Sequence, residues 1–193
     1  MPMTLFSGQY RLPAFCLLML FTIVQPVHAD DECRMAVSQP SIQYGKIVWG
    51  DVVKNLQGNF RLSEKEIQVS IVCPSPRRVG VFFTGDADSR GEFRFTARSN
   101  VLIAVTNMMV DGQTRQIVKM RTPGQLALSG APVSAVSLLN QEGVAPVEHD
   151  TVIAGQNISF VVRVQPNMEQ SDFRVSSPEQ VAAQISLRLE TRE

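Results

Sequence analysis

Histidine is almost missing from this chain. Two of its 193 residues are histidines, His28 and His149. The second lies in a polar Glu148-His149-Asp150 stretch that is typical of a solvated turn. No serine lies in a Gly-x-Ser-x-Gly turn, so the sequence offers no recognisable nucleophile for a Ser-His-Asp triad. We therefore predict no catalytic residues, and an enzyme is the least favoured class of function.

An imbalance of charge is also missing. The chain holds 18 basic and 18 acidic residues, and no run of lysine and arginine stands out. This balance gives no support to a nucleic-acid partner or to binding at an anionic membrane surface. Beyond the N-terminal segment, no apolar run reaches the roughly 20 residues that a membrane-spanning helix needs. We predict no membrane span in the mature chain.

An apolar segment does lie at the N-terminus. Arg11 precedes an apolar run over 12–24, and Val27-His28-Ala29 has the small-residue pattern of a cleavage site. These features predict a secretory signal peptide over residues 1–29 and a single mature domain over residues 30–193. The alternative, a transmembrane anchor, is disfavoured because the run is too short.

Cysteine is scarce, with three residues at positions 16, 33 and 73. Cys16 lies in the predicted signal, which leaves Cys33 and Cys73 as an even pair in an exported chain. Cys33 begins one strand-like segment and Cys73 ends the next, so a disulfide between neighbouring strands is predicted. In the chain-entropy model such a loop stabilises a fold by about 4 kcal/mol. The alternative is two free buried thiols.

A helical period of 3.6 residues is absent from every segment. Turn residues recur at short intervals and separate stretches of period-2 alternation. The clearest predicted strands cover 101–110, 157–165 and 181–190, and Asp111-Gly112 predicts a hairpin turn after the first of them. This pattern is typical of an all-β sandwich or barrel.

Three local predictions concern less regular segments. Ile42 and Tyr44 share one face of a first predicted strand that ends at Gly50. The segment 74–78 contains two prolines and is predicted to be a loop, because proline lacks the backbone donor of a β-ladder. Residues 129–132 are predicted to be a turn, in the part of the chain with the weakest pattern.

Polar and aromatic motifs give weaker indications of a site. Asp86–Glu92 is similar to a calcium loop, but Arg90 stands where a ligand belongs and the closing glutamate is absent. We therefore predict no metal and no cofactor. Asn157-Ile158-Ser159 fits a glycosylation sequon at the start of a predicted strand. Tyr44 and Trp49 are candidates for an aromatic platform that binds a carbohydrate, although aromatic residues on such a strand are more often core residues.

Several of these residues together resemble the fimbrial, pilin-like subunits of the bacterial chaperone–usher systems. The resemblance rests on Glu32-Cys33-Arg34, on Ser41-Ile42-Gln43-Tyr44-Gly45, on the strand-like segment Ile67–Cys73 and on the alternating strand over 182–189. It is closest to a fimbrial-like group whose mature chain begins almost at the first cysteine.

The resemblance implies an immunoglobulin-like β-sandwich that lacks its last strand and contains one disulfide, Cys33–Cys73. In that family a periplasmic chaperone lends a strand, and the neighbouring subunit's N-terminal extension later replaces it. The implied partners are a periplasmic pilus chaperone, the outer-membrane usher and other fimbrial subunits. A host or surface glycan is a further candidate partner.

The resemblance also implies an acceptor groove, lined from the first strand by Ile42 and Tyr44 and from the last strand by Ile185, Leu187 and Leu189. Few residues precede the first cysteine in the mature chain, and the penultimate aromatic residue of the family is absent. We therefore expect a minor or tip subunit, secreted through the periplasm to a fimbrium or the cell surface. The competing interpretation is a self-complete secreted β-sandwich that binds a carbohydrate or another surface ligand.

Overall fold

The computed structural model describes residues 32–44, 53–54, 60–170, 172 and 183–193. In this part of the chain the regular elements are strands, and no helix is long and apolar enough to span a membrane. The strands are β1 (Arg34–Val37), β2 (Val53–Lys54), β3 (Phe60–Arg61), β4 (Lys65–Gly85), β5 (Phe93–Arg94), β6 (Asn100–Val110), β7 (Gln113–Thr114), β8 (Gln116–Met120), β9 (Leu128–Val133), β10 (Ala135–Leu138), β11 (Gly143–Glu148), β12 (Thr151–Val152), β13 (Ala154–Met168) and β14 (Ile185–Arg192). The all-β prediction is confirmed.

Strand β4 organises the architecture because it belongs to both layers of a curled antiparallel sheet. Its first half pairs with β1 and β13, and the layer continues through β6 to β10. Its second half pairs with β14 and β11, and that layer continues through β8 to β9. We call these layers sheet I and sheet II. The short strands β2, β3, β5 and β7 extend sheet I, and β12 extends sheet II.

The main hydrophobic core lies between the two sheets. Sheet I contributes Ile103 and Phe160, sheet II contributes Ile117 and Val144, and all four belong to one buried cluster. Strand β4 supplies alternate residues to this cluster from both of its halves, from Val69 through to Phe83. Because one core takes side chains from both layers, the fold is a β-sandwich.

The predicted disulfide is confirmed. Cys33 and Cys73 are bonded, and their Cα atoms lie 4.1 Å apart. The next residues along, Arg34 and Val72, face each other in the ladder of β1 and β4. The bond therefore joins neighbouring strands of sheet I at the end of their ladder.

The prediction of a loop over 74–78 is wrong, because β4 runs through both prolines. The ladder with β1 ends at Val72, and the ladder with β14 begins at Arg78. On the other edge of β4, the register with β13 shifts between Gly155 and Asn157. Pro74 and Pro76 thus lie where β4 passes from β1 to β14 on one edge and where its register with β13 shifts on the other. Their missing N–H donors therefore leave no ladder hydrogen bond unmade.

The first predicted strand is displaced in the structure. The strand covers Arg34–Val37, and residues 38–44 are not in a strand. Ser38 ends the ladder, because its N–H donates to Gln68 O at 2.9 Å while its hydroxyl accepts from Gln68 N at 3.0 Å. Pro40 then removes a donor. Residues 45–50, including Trp49, lie outside the described part.

The middle of the chain contains two further differences and one agreement. Residues 129–132 were predicted to be a turn but belong to β9, an edge strand that tolerates Pro132. Strand β11 was not predicted, because it contains Gly143 and Pro146, and these residue types are more typical of loops. The hairpin turn is confirmed: Asp111 and Gly112 have φ values of 49° and 79° between β6 and β7.

A second apolar cluster covers the outer face of sheet II. It contains Phe82 of β4 together with residues of β8, β11 and β12. Leu126 packs on this cluster from the connection 121–127, which we call the strap. Gly80 makes room for the strap, since a Cβ there would lie 2.6 Å from both Leu126 Cδ2 and Met120 Cε.

Candidate functional site

One edge of β4 carries β1 and β14 end to end. Over residues 69–72, β4 pairs with β1 on one edge and with β13 on the other. At Arg78, it pairs with Ala154 of β13 and with Arg192 of β14. Since β13 pairs with the same edge of β4 in both places, β1 and β14 both pair with the opposite edge of β4. We call this line the β1–β14 edge.

Strand β14 lies at the border of sheet II. Within the described ranges, β4 is the one strand that pairs with it. A strand with a single neighbour leaves every second backbone N–H and C=O without a ladder partner. The outer side of β14 is therefore a place where another strand can pair.

Burial decreases sharply from β4 to β14. Val81 and Phe83 of β4 are 1% and 0% exposed. Their ladder partners, Leu189 and Leu187, are only half-buried, although both pack against the main core. Ile185 continues the same inward row. One strand spacing, about 4.8 Å, thus separates a closed core from apolar side chains that remain partly in solvent.

Strand β1 continues this inward row beyond the disulfide. Met35 and Val37 are half-buried and pack against the same core, while Arg34 is exposed. The sequence reasoning missed Met35 and Val37, because it placed the first strand further along the chain. Their alternation with Arg34 and Ala36 was the signal that would have found them.

The five residues predicted to line a groove all pack half-buried against the main core. The structure separates them into two groups. Ile42 and Tyr44 follow β1, towards the beginning of β4. Ile185, Leu187 and Leu189 lie beside the end of β4. The two groups therefore lie towards opposite ends of β4.

Tyr44 is fixed to sheet I. Its hydroxyl donates to Val164 O at 3.1 Å, and its ring packs edge-on against Phe95 with the centroids 6.2 Å apart. Burial, followed by the negative charge of Glu64, raises the pKa of Tyr44 to about 12. A ring held in this way packs in the fold and is not presented as a flat platform for a ligand.

Alkaline titration of the folded protein should show the raised pKa of Tyr44. The folded-state pKa of Tyr44 lies above the ordinary value of 10.0. Its stabilising contribution is therefore complete below pH 10 and is lost as the pH rises towards 12. Ultraviolet difference spectra of residues 30–193 report on Tyr44 alone, since the chain's other tyrosine is Tyr10. A midpoint in folded protein that matches the midpoint in urea would contradict the prediction.

The other polar motifs have structural explanations. Asp88 Oδ1 accepts from the backbone N–H of Arg90 at 2.8 Å and of Glu92 at 3.0 Å. The Arg90 guanidinium bonds to both carboxylates, so the loop compensates its own charges. In the part of the chain that the structure describes, no group of His, Cys, Asp and Glu is arranged to hold a metal ion. His149 is exposed in the turn between β11 and β12, and Asn157 lies inside β13.

Comparison with known proteins adds little. No protein-family model matches the chain, and no curated protein matches it. Among solved structures, the crystal structure of the P pilus rod subunit PapA is similar with a TM-score of 0.36 and 12% sequence identity. The match covers 83% of this chain and 99% of that chain. A likeness this slight decides nothing about function.

Proposed function

We propose that this protein is an exported, non-enzymatic β-sandwich subunit that accepts a β-strand from a partner along the β1–β14 edge. The observation that carries the proposal is β14 itself, whose inward residues are only half-buried beside a closed core. A strand laid against β14 pairs with its outer backbone groups and covers these side chains with its own alternate residues.

The energetics favour such an addition. Completing the burial of Ile185, Leu187 and Leu189 contributes on the order of 1 kcal/mol for each side chain. Each new backbone hydrogen bond adds about 0.5–1.5 kcal/mol. An uncovered apolar edge also promotes aggregation, so a protein of this shape benefits from a partner that protects it.

The biological setting that we propose is pilus assembly. The protein acts as a minor or tip fimbrial-like subunit, with a periplasmic pilus chaperone, an outer-membrane usher and other fimbrial subunits as partners. The secretory signal predicted over residues 1–29, the disulfide and the free edge of β14 support this setting. Secretion through the periplasm to a fimbrium or the cell surface belongs to the same proposal.

Co-expression tests the proposal. Residues 30–193 are produced in an oxidising periplasm with and without a pilus chaperone, and are analysed by size-exclusion chromatography and thermal melting. We expect aggregation or degradation of the protein alone, and recovery as a one-to-one complex with the chaperone. A soluble monomer that melts cooperatively alone and ignores both chaperone and donor peptides would refute strand acceptance and favour the self-complete sandwich.

Two variants of β14 localise the contact. Leu187→Lys places a charge in the inward row and is expected to abolish the complex. Arg188→Glu, on the outward face of the same strand, is the matched control and is expected to leave it intact. Equal yields of complex from both variants would mean that the partner does not bind along β14.

A further inference from the structure

A cleft of about 620 Å³ opens on the outer face of sheet II. One wall is formed by Arg78 of β4 and Arg192 of β14, and the strap forms a second wall through Gln125 and Leu126. Asp150 and the start of β12 line the remaining side. The volume lies within the range that small-molecule sites occupy. The inward row of the β1–β14 edge is on the other face of β14, so the cleft is separate from the proposed strand-binding surface.

Two arginines face each other in this cleft. Arg78 and Arg192 are direct partners in the ladder of β4 and β14, which places their side chains on one face and about 5 Å apart at Cβ. Like charges in this arrangement destabilise a sheet. Within the described ranges, no carboxylate lies within 4.0 Å of either guanidinium. The cleft lining therefore holds two guanidinium groups without an ion-pair partner among the described residues and one carboxylate, that of Asp150.

The other two arginines of β4 and β14 have carboxylate partners, unlike Arg78 and Arg192. Arg77 is paired with Glu193 at 2.7 Å, and Arg188 is paired with Glu190 at 3.5 Å. Of the four arginines of β4 and β14, Arg78 and Arg192 are the two without a described carboxylate within 4.0 Å, and both line the cleft.

The strap holds this wall in place. Both carboxylate oxygens of Glu190 accept from the N–H of Gly124 at 2.7 Å, and Arg192 donates to Gly124 O at 2.8 Å. Leu126 is anchored on the second apolar cluster. The Glu190 carboxylate is thus shared between the strap backbone and Arg188, and it makes no ion pair with Arg192. The guanidinium keeps free N–H donors, and its position is set before a ligand arrives.

We propose that the cleft binds a saccharide that carries one carboxylate group. The carboxylate lies between Arg78 and Arg192, since guanidinium groups recognise carboxylates by paired hydrogen bonds. The sugar ring lies against Leu126 and Val152, and its hydroxyls bond to Gln125 and Asp150, which line the same cleft. The Asp150 carboxylate accepts from hydroxyls and repels a second anionic group, which selects a singly charged sugar over phosphate.

Calorimetry with four probes tests the inference on protein recovered from the periplasm, alone or in the complex in which it is isolated. Glucuronate and N-acetylneuraminate are expected to bind, and glucose and inorganic phosphate to bind at least about tenfold more weakly. Arg78→Gln and Arg192→Gln should each weaken the sugar acids at least about tenfold, as expected for one lost hydrogen bond to a charged group. Melting curves check that both variants remain folded.

Arg98→Gln is the matched control, because Arg98 is exposed and does not line the cleft. It should bind the sugar acids as the wild type does. Phosphate binding as tight as that of the sugar acids would overturn the assignment to a saccharide. Absence of binding by both sugar acids, or wild-type affinity in both cleft variants, would overturn the site. These results are independent of strand acceptance, which Leu187→Lys tests on the opposite face of β14.

Discussion

Replacing Cys33 and Cys73 together by alanine is expected to lower the free energy of unfolding by about 2–5 kcal/mol. The disulfide joins β1 to β4 at the point where β4 loses its ladder partners and enters Pro74 and Pro76. Without the bond, β1 is held to β4 by a ladder of four residue pairs, Arg34↔Val72 to Val37↔Val69. Since a domain has a total stability of about 5–15 kcal/mol, the loss would be a large share of it.

Urea unfolding of the protein over 30–193 measures this loss. The double alanine variant avoids leaving an unpaired thiol or hydroxyl in the core, where Cys73 is 3% exposed. The wild type treated with reductant should lose a similar amount. Cys16→Ala is the control in the full-length precursor and should leave the exported product unchanged. Identical midpoints for the wild type and the double variant would show that the bond contributes nothing to stability.

Phe83→Ala is expected to lower the free energy of unfolding by about 3–5 kcal/mol, the usual cost of removing a buried aromatic ring. Phe83 is 0% exposed and faces the main core in the half of β4 that belongs to sheet II. Its surroundings come from both sheets, so the cavity cannot close by a local shift. Denaturant unfolding or the melting temperature measures the effect.

Leu187→Ala is the informative comparison for Phe83→Ala. Leu187 is the ladder partner of Phe83 but is only half-buried, so truncation removes less buried surface. We expect a loss well below that of Phe83→Ala in the isolated protein. The two losses should become more similar when a donor peptide is bound. Equal losses in the isolated protein would mean that the β14 side of the core is already closed.

The local patterns of the sequence predicted a large part of the fold. The alternation of apolar residues predicts strands β6 and β13, and the Asp111-Gly112 dipeptide predicts the hairpin turn after β6. The pairing of Cys33 with Cys73 was predicted because they are the two cysteines that remain once Cys16 is assigned to the signal peptide. The inward row of β14 was predicted as well, because the alternation of Ile185, Leu187 and Leu189 needs no knowledge of the neighbouring strand.

The remaining features depend on which strands are neighbours, and that information is spread along the chain. Pro74 and Pro76 indicate a loop unless it is known that β4 changes partners around them. The local sequence of β11 is typical of a loop, and the strand forms because β4 and β8 pair with it on both edges. Arg78 and Arg192 become a pair only through the register of β4 with β14. Local strand propensity does not predict which strands pair or in which register, because tertiary contacts override it.

The pairing of β4 with β14 also sets an order of events during synthesis. The second half of β4 is made early, but the strand that covers its edge is made after every other described strand. Until then, Val81 and Phe83 lack a neighbour on that side. Contacts between such distant segments form slowly, because a long loop must close first. The nascent chain therefore spends its synthesis with a hydrophobic strand edge exposed, and this interval is when a holding factor is most useful to it.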